Sequence, residues 1–133
     1  MLFRSAVGQL LETPAWALMG TRRRTHAHVG WVAELETYHH DAGGTATILD
    51  DCTIQVTNFT YDGSGLVVYF TGGRDGDYAG GFEMGDDLLG TTFSGETVNL
   101  TLPSTRTLDD LDGLSVWCIT AGVSFADGEF AAR

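Results

Sequence analysis

The sequence predicts an all-β fold: a single antiparallel β-sandwich or barrel-like domain of about eight or nine strands. Three observations predict it. From Gly30 onward, short runs rich in Thr, Val, Ile and aromatic residues alternate apolar with polar positions. Glycine and aspartate clusters punctuate those runs at roughly 8–12-residue intervals, and the 18 glycines follow no collagen period. Strand–helix alternation, the pattern behind a parallel sheet, is absent. The 133 residues are room for one domain, and a 43% hydrophobic composition with seven Phe, four Tyr and three Trp supplies its core.

The elements follow in order. Residues 31–39 alternate in part, and 44–49 set Thr45 and Thr47 against Ala46 and Ile48. Asp50-Asp51 marks a turn. Residues 53–60 alternate through Ile54 and Val56, slip at Asn58 and resume at Phe59, the mark of a bulge. Tyr61-Asp62-Gly63-Ser64-Gly65 reads as a hairpin turn because Asp-Gly tolerates positive φ. The apolar run 66–71 reads as a central strand, and 72–77 as a loop. Short strands are expected at 81–84 and 88–93, then at 96–102, where Val98, Leu100 and Leu102 share a face. Thr107 to Leu111 reads as one helical turn with aspartates at its start. Residues 114–119 and 122–130 complete the sheet.

Residues 1–29 read differently. Their best apolar patch, Ala15-Trp16-Ala17-Leu18-Met19, is short and follows Pro14, and Arg22-Arg23-Arg24 come after it rather than before. That is the reverse of a secretory signal's order, so the segment is expected to be a poorly ordered tail or a degraded leader, with 30–133 as the β domain. No run reaches the roughly 18 apolar residues of a membrane helix, so direct membrane insertion is not expected.

The formal net charge is −11, with 18 acids, seven arginines and no lysine. All the acids except Glu12 lie after His26, facing only Arg74, Arg106 and Arg133. Such a body repels phosphate backbones and speaks against nucleic-acid partners. The P-loop, G-x-S-x-G, G-x-G-x-x-G after a strand and H-E-x-x-H motifs are all missing, and no activated nucleophile can be named. The chain is therefore not read as a stand-alone enzyme. The acidic loops at Asp75-Gly76-Asp77, Asp86-Asp87 and Asp109-Asp110 lack the spacing of a calcium loop, and aspartates commonly form turns. His39-His40 alternate faces on a strand, so the pair offers no metal site. Asn58-Phe59-Thr60 and Asn99-Leu100-Thr101 fit the glycosylation pattern but lie in strands, where such triplets arise by chance.

Cys52 and Cys118 leave three readings open: a disulfide, two buried thiols or a redox-active thiol. In Ser115-Val116-Trp117-Cys118, period two sends Val116 and Cys118 to the core and Trp117 the other way. A buried thiol there is ordinarily a small hydrophobe; the functional alternative is a thiolate that ligates haem iron or passes electrons.

Four stretches carry a resemblance. They are Thr45-Ala46-Thr47-Ile48-Leu49-Asp50-Asp51-Cys52-Thr53-Ile54, Val56-Thr57-Asn58-Phe59-Thr60-Tyr61-Asp62-Gly63-Ser64-Gly65, Val98-Asn99-Leu100-Thr101-Leu102-Pro103 and Leu114-Ser115-Val116-Trp117-Cys118. In that order they resemble the DM-thirteen domain, found in Skeletor-type proteins and beside DOMON and b-type cytochrome modules. The resemblance covers about residues 30–130. It implies an all-β domain at the cell surface, extracellular or periplasmic, acting as an accessory redox domain in electron transfer. It also implies a functional role for Cys118 after Trp117, as a bare redox thiol or a ligand of a prosthetic group such as haem. His40 is then the candidate second ligand and Trp117 a further cofactor-binding candidate, and the partner is a redox protein or a cell-surface protein. The alternative is a non-catalytic interaction module with a Cys52–Cys118 disulfide.

Overall fold

The computed structural model describes residues 25–133. Among them are eight strands: β1 (Val32–Thr37), β2 (Gly43–Asp50), β3 (Thr53–Tyr61), β4 (Val68–Arg74), β5 (Asp77–Met84), β6 (Phe93–Thr101), β7 (Gly113–Cys118) and β8 (Val123–Glu129). One 3-10 turn spans Leu108–Asp110. Every pairing is antiparallel, and the strands form one curled sheet in the order β5-β4-β7-β8-β1-β2-β3-β6. The all-β expectation holds in its barrel-like form, because the two facing layers are halves of one continuous sheet.

The curl is made by β1. Its first part, Val32 to Leu35, pairs with β2, while Glu36 and Thr37 pair with Asp127 and Ala126 of β8. A strand that changes partners along its length turns a corner, and the two half-sheets then fold toward each other. The concave side between them is the core. Ile48, Ile54, Val56, Phe59 and Leu100 from one half meet Val68, Phe70, Met84, Leu114 and Val116 from the other, all at most 2% exposed. Phe59 of β3 spans the gap, with its ring centroid 4.8 Å from Phe70 of β4 and 5.0 Å from Phe93 of β6.

The expected bulge at Asn58 is present. The β3–β6 register shifts between Val56 and Phe59, and Asn58 takes φ 52°. The expected helical turn is the 3-10 turn, where the Thr107 hydroxyl accepts from Asp109 N and the Asp110 carboxylate accepts from Thr107 N, closing a capping box.

Other expectations are corrected. Tyr61–Gly65 is not a hairpin turn, since β3 and β4 do not pair; the segment crosses from one half-sheet to the other. Residues 72–77 are not a loop. β4 runs on to Arg74 and β5 starts at Asp77, so Asp75-Gly76, with φ 55° and 78°, is the whole two-residue connection. Residues 88–92 are not a strand: Leu88 is buried with its N–H on Val68 O, and Asp87 Oδ1 accepts from Val68 N and Leu89 N. A side-chain acceptor there replaces a ladder partner.

Of the expected N-terminal tail, residues 1–24 lie outside the described residues. Residues 25–29 are turned against the domain: Val29 packs on the core, His26 N donates to Asp51 Oδ1 at 2.9 Å, and Gly30 N donates to Ile48 O at 2.8 Å. No helix among the described residues is long and apolar enough to cross a membrane.

Because Phe59 is the bridge between the halves, Phe59→Ala should cost about 3–5 kcal/mol, more than a peripheral truncation such as Phe93→Ala. Urea unfolding of both variants measures the difference, and equal losses would remove Phe59 from that role.

Candidate functional site

The residues that carry chemistry sit at two ends of β3. At its C-terminal end lies Cys118, the last residue of β7. Leu114, Val116 and Cys118 point inward and Trp117 outward, as period two requires. Cys118 is 3% exposed, flanked by its register partners Val68 and Val123. Tyr61, fully buried, accepts the Gly65 N–H at 2.9 Å. Burial pushes the Tyr61 hydroxyl above its usual range, the Gly65 amide pulls it back, and the negative charges of Asp62 and Asp87 add to the rise. The tyrosine stays protonated and neutral. Its ring stacks at 6.1 Å on Phe125, and Phe125 lies 4.5 Å from the ring of His40. A run of aromatic groups thus connects the surroundings of the buried sulfur with the surface.

His40 is at that surface end. It and Asp41 sit in the left-handed region, φ 58° and 56°. Its Nδ1 lies 2.6 Å from Ser64 Oγ and 3.3 Å from Asp62 Oδ2, while Ser64 Oγ donates to Asp62 Oδ1 at 2.6 Å. This Ser–His–Asp grouping is not a nucleophile relay. A relay uses the two ring nitrogens separately, one for serine and one for the carboxylate; here serine and carboxylate share Nδ1 and bond to each other. The grouping ties the crossing loop, and Ser64 bonds hold Asp62 below the usual carboxylate range, with His40 contributing less.

A haem between Cys118 and His40 does not fit this arrangement. An axial thiolate must face a cavity large enough for the macrocycle. Cys118 is 3% exposed and lines none of the main cavities among the described residues. His40 engages Ser64 and Asp62 through Nδ1 alone, so the misfit rests on the burial of the sulfur and not on this ring.

At the other end of β3 lies Cys52, exposed in the β2–β3 turn. The Cys52–Cys118 disulfide is not formed, and both thiols are free. The reason is distance: nine residues of β3 separate Cys52 from Tyr61, about 30 Å at roughly 3.3 Å per residue, against the ~7 Å limit between bridged Cα atoms. Cys52 instead borders two clefts of about 480 and 340 Å³. The second is lined also by His26, Arg106 and Asp109. His26 Nδ1 accepts from His28 N at 3.0 Å and its Nε2 lies 2.8 Å from Asp109 Oδ1, so the ring is held as a structural clasp between the chain start and the 3-10 turn.

The acidic loops use their carboxylates locally. Asp112 accepts from Asp75 N, Asp77 from Gly80 N, and Asp110 from Thr107 N. No three His, Cys, Asp or Glu groups among the described residues converge as metal ligands. Tyr61, Phe125, Ser64 and Asp62 were not singled out by sequence reasoning. Only Tyr61 carried a signal, as the last inward position of the alternating run that begins at Thr53.

Comparison with known proteins places this geometry. The family described as Electron transfer DM13 matches residues 34–130. Protein Skeletor, isoforms B/C, of Drosophila melanogaster is 31% identical over 103 residues, covering 72% of this chain and 13% of that protein. The cytochrome b561, DM13 and DOMON domain-containing protein of Arabidopsis thaliana is 29% identical over 101 residues, covering 73% of this chain and 11% of that protein. The chain therefore spans only a small fraction of these relatives' length. No solved structure matches it. With a family match over nearly the whole β domain, the chain belongs to the electron transfer DM13 family.

Proposed function

We propose that the domain is an accessory electron-transfer module at the cell surface, with Cys118 as its electron-carrying thiol and a redox protein as its partner. The observation that carries this reading is the setting of Cys118: a sealed sulfur with Trp117 next to it in the strand and the Tyr61–Phe125–His40 rings leading outward. A seal that bars a ligand or a soluble thiol does not bar an electron, which crosses packed protein without a channel. The family description and the cytochrome b561 module named in the Arabidopsis relative support the same reading. The surface location rests on the family resemblance.

The step is a one-electron exchange. A strongly oxidising acceptor on the partner gains one electron; the Cys118 S–H bond breaks, its proton passes to an acceptor beside the sulfur, and a neutral thiyl radical is left in the packed interior. Nothing in the arrangement performs hydride transfer or hydrolysis, and the partner's cofactor supplies the metal chemistry.

Two outcomes follow from the burial of the sulfurs. A bulky thiol reagent should modify Cys52 and spare Cys118 in the native protein, and modify both after unfolding in guanidinium chloride. Labelling followed by peptide mass spectrometry reads this directly; rapid native labelling of Cys118 would mean that the seal described above does not exist.

The redox role is tested in a Cys52→Ser background, which removes the accessible thiol. Reduced protein mixed without oxygen with a strong one-electron oxidant such as hexachloroiridate(IV) should deliver a first electron from Cys118, seen as a sulfur-centred radical by electron paramagnetic resonance, and Cys118→Ala should abolish that signal. Equal delivery by the Cys118→Ala chain, confirmed as folded by circular dichroism, would leave Cys118 as a packing residue and the domain as a scaffold.

A further inference from the structure

The convex face of the half-sheet that carries Cys118 has an unusual composition. Alternation puts Val67 and Tyr69 of the β4 strand line on it, and Trp117 and Ile119 of the β7 line beside them. Tyr69 is the register partner of Trp117, and Ile119 N donates to Val67 O at 2.8 Å. Ile119 is 44% exposed and Val67 37%, with the two aromatics half-buried. This is a four-residue apolar stripe outside the core.

Acids border the stripe on both sides. Glu83 lies on β5, as partner of Thr71. On β8 and β1, Asp127 is the register partner of both Ser115 and Glu36, and Glu129 and Glu34 continue the same face. Asp127 stands opposite Ser115, two positions along β7 from Trp117, whose own partner on β8 is Ser124. Glu36 and Asp127 are like charges placed directly opposite, an arrangement that destabilises a sheet. Neither forms an ion pair among the described residues; Asp127 only accepts from the exposed Tyr38 hydroxyl at 3.0 Å. Beneath them Tyr78 lies across Gly73 and Gly113, where a Cβ would strike it. Burial first, then Asp127, Asp112 and Glu129, keep its hydroxyl protonated far beyond neutral pH.

We infer that this convex face is the docking surface for a cationic protein partner, one with an apolar centre ringed by Lys and Arg. The inference rests on the electron-transfer reading only for the partner's redox character. An apolar centre containing Trp and Tyr with a charged rim is the anatomy of a protein interface. The sign of the rim selects the partner: a body of net charge −11 without lysine repels a second copy of itself, nucleic acid and anionic lipid alike. The face also brings a partner to Trp117, one residue from Cys118 along the strand.

The test uses the full chain and ferric cytochrome c as a cationic haem-protein probe, with a strongly acidic protein of similar size as control. In ¹⁵N spectra at low ionic strength, cytochrome c should shift the amides of 67–69, 117–119, 36 and 127, and 0.3 M salt should erase the shifts. Ile119→Arg should abolish binding. Glu36→Gln should weaken it by about threefold to fivefold while raising Tm, because it relieves the opposition to Asp127. Glu96→Gln, on the distant strand β6, should do neither. Shifts spread evenly over the acidic surface, or equal weakening by Glu96→Gln, would overturn the inference. So would contacts from Trp117 to residues 1–24, or dimerisation through this face. The readout is binding alone, so it can fail while Cys118 still delivers its electron, and the reverse.

Discussion

The fold depends on β1 having two partners. A strand bonded to β2 along its first part and to β8 along its last joins two half-sheets that would otherwise be separate layers. The join brings Phe59 against Phe70, though they stand far apart in the strand order. It also decides what faces what at the C-terminal end of β3, where Tyr61 from one half lies under Phe125 from the other. The surroundings of Cys118 are therefore assembled from both halves and exist only when the corner is made. The cost is visible at the corner itself, where Glu36 must stand opposite Asp127.

Burial separates the two uses that a thiol of this kind can have. Ligation of a prosthetic group needs a sulfur at a cavity wall and a second ligand facing it. Cys118 has 3% of its surface exposed and lines none of the main cavities. Electron exchange needs only short steps through packed protein, with oxidisable rings on both sides of the strand. Trp117 is outside, 6.4 Å from Tyr78, and Tyr61 is inside, its ring 6.1 Å from that of Phe125. The exposed thiol, Cys52, has the clefts but lies at the far end of β3 from this aromatic network.

Legibility in the sequence followed the range of the forces involved. Period-two alternation is a local consequence of pleating, so β2, β3, β7 and the inward placement of Cys118 could be read from residues. The Asn58 bulge could be read as well, because it interrupts that period. The Tyr61–Gly65 segment misled because Asp-Gly encodes a reversal of direction and not the identity of the strand that comes next; the pairing partner is chosen by long-range burial. Residues 88–92 misled because their apolar pair, Leu88 and Leu89, splits between core and solvent, with backbone N–H groups satisfied by Asp87. Two cysteines in a sequence carry no information on their distance, so the disulfide is legible only from the fold. The convex stripe was not found, although its signal was present: Val67 and Tyr69 alternate with Val68 and Phe70, and Trp117 and Ile119 alternate with Val116 and Cys118. Both faces of those strands are apolar, and only one can be the core.

The acidity, too, divides into two populations once the structure is known. Turn aspartates are spent on backbone amides: Asp50 on Cys52 N, Asp62 on Ser64 N, Asp77 on Gly80 N, Asp87 on Val68 N. Those bonds hold the Asp50 and Asp62 carboxyls below their usual range, as expected for an acceptor whose ionised form is the one that is bonded. Short side chains reach their own turn, which is why these positions are Asp and why they make poor cation ligands. The glutamates among the described residues lie instead on strands. Glu36, Glu83 and Glu129 are exposed on the convex side and make no turn. A uniform solubility coat would not need such segregation, nor the placing of two like charges in one register. The arrangement sets a directional negative field over the one face that is also apolar and that carries the indole next to the buried sulfur.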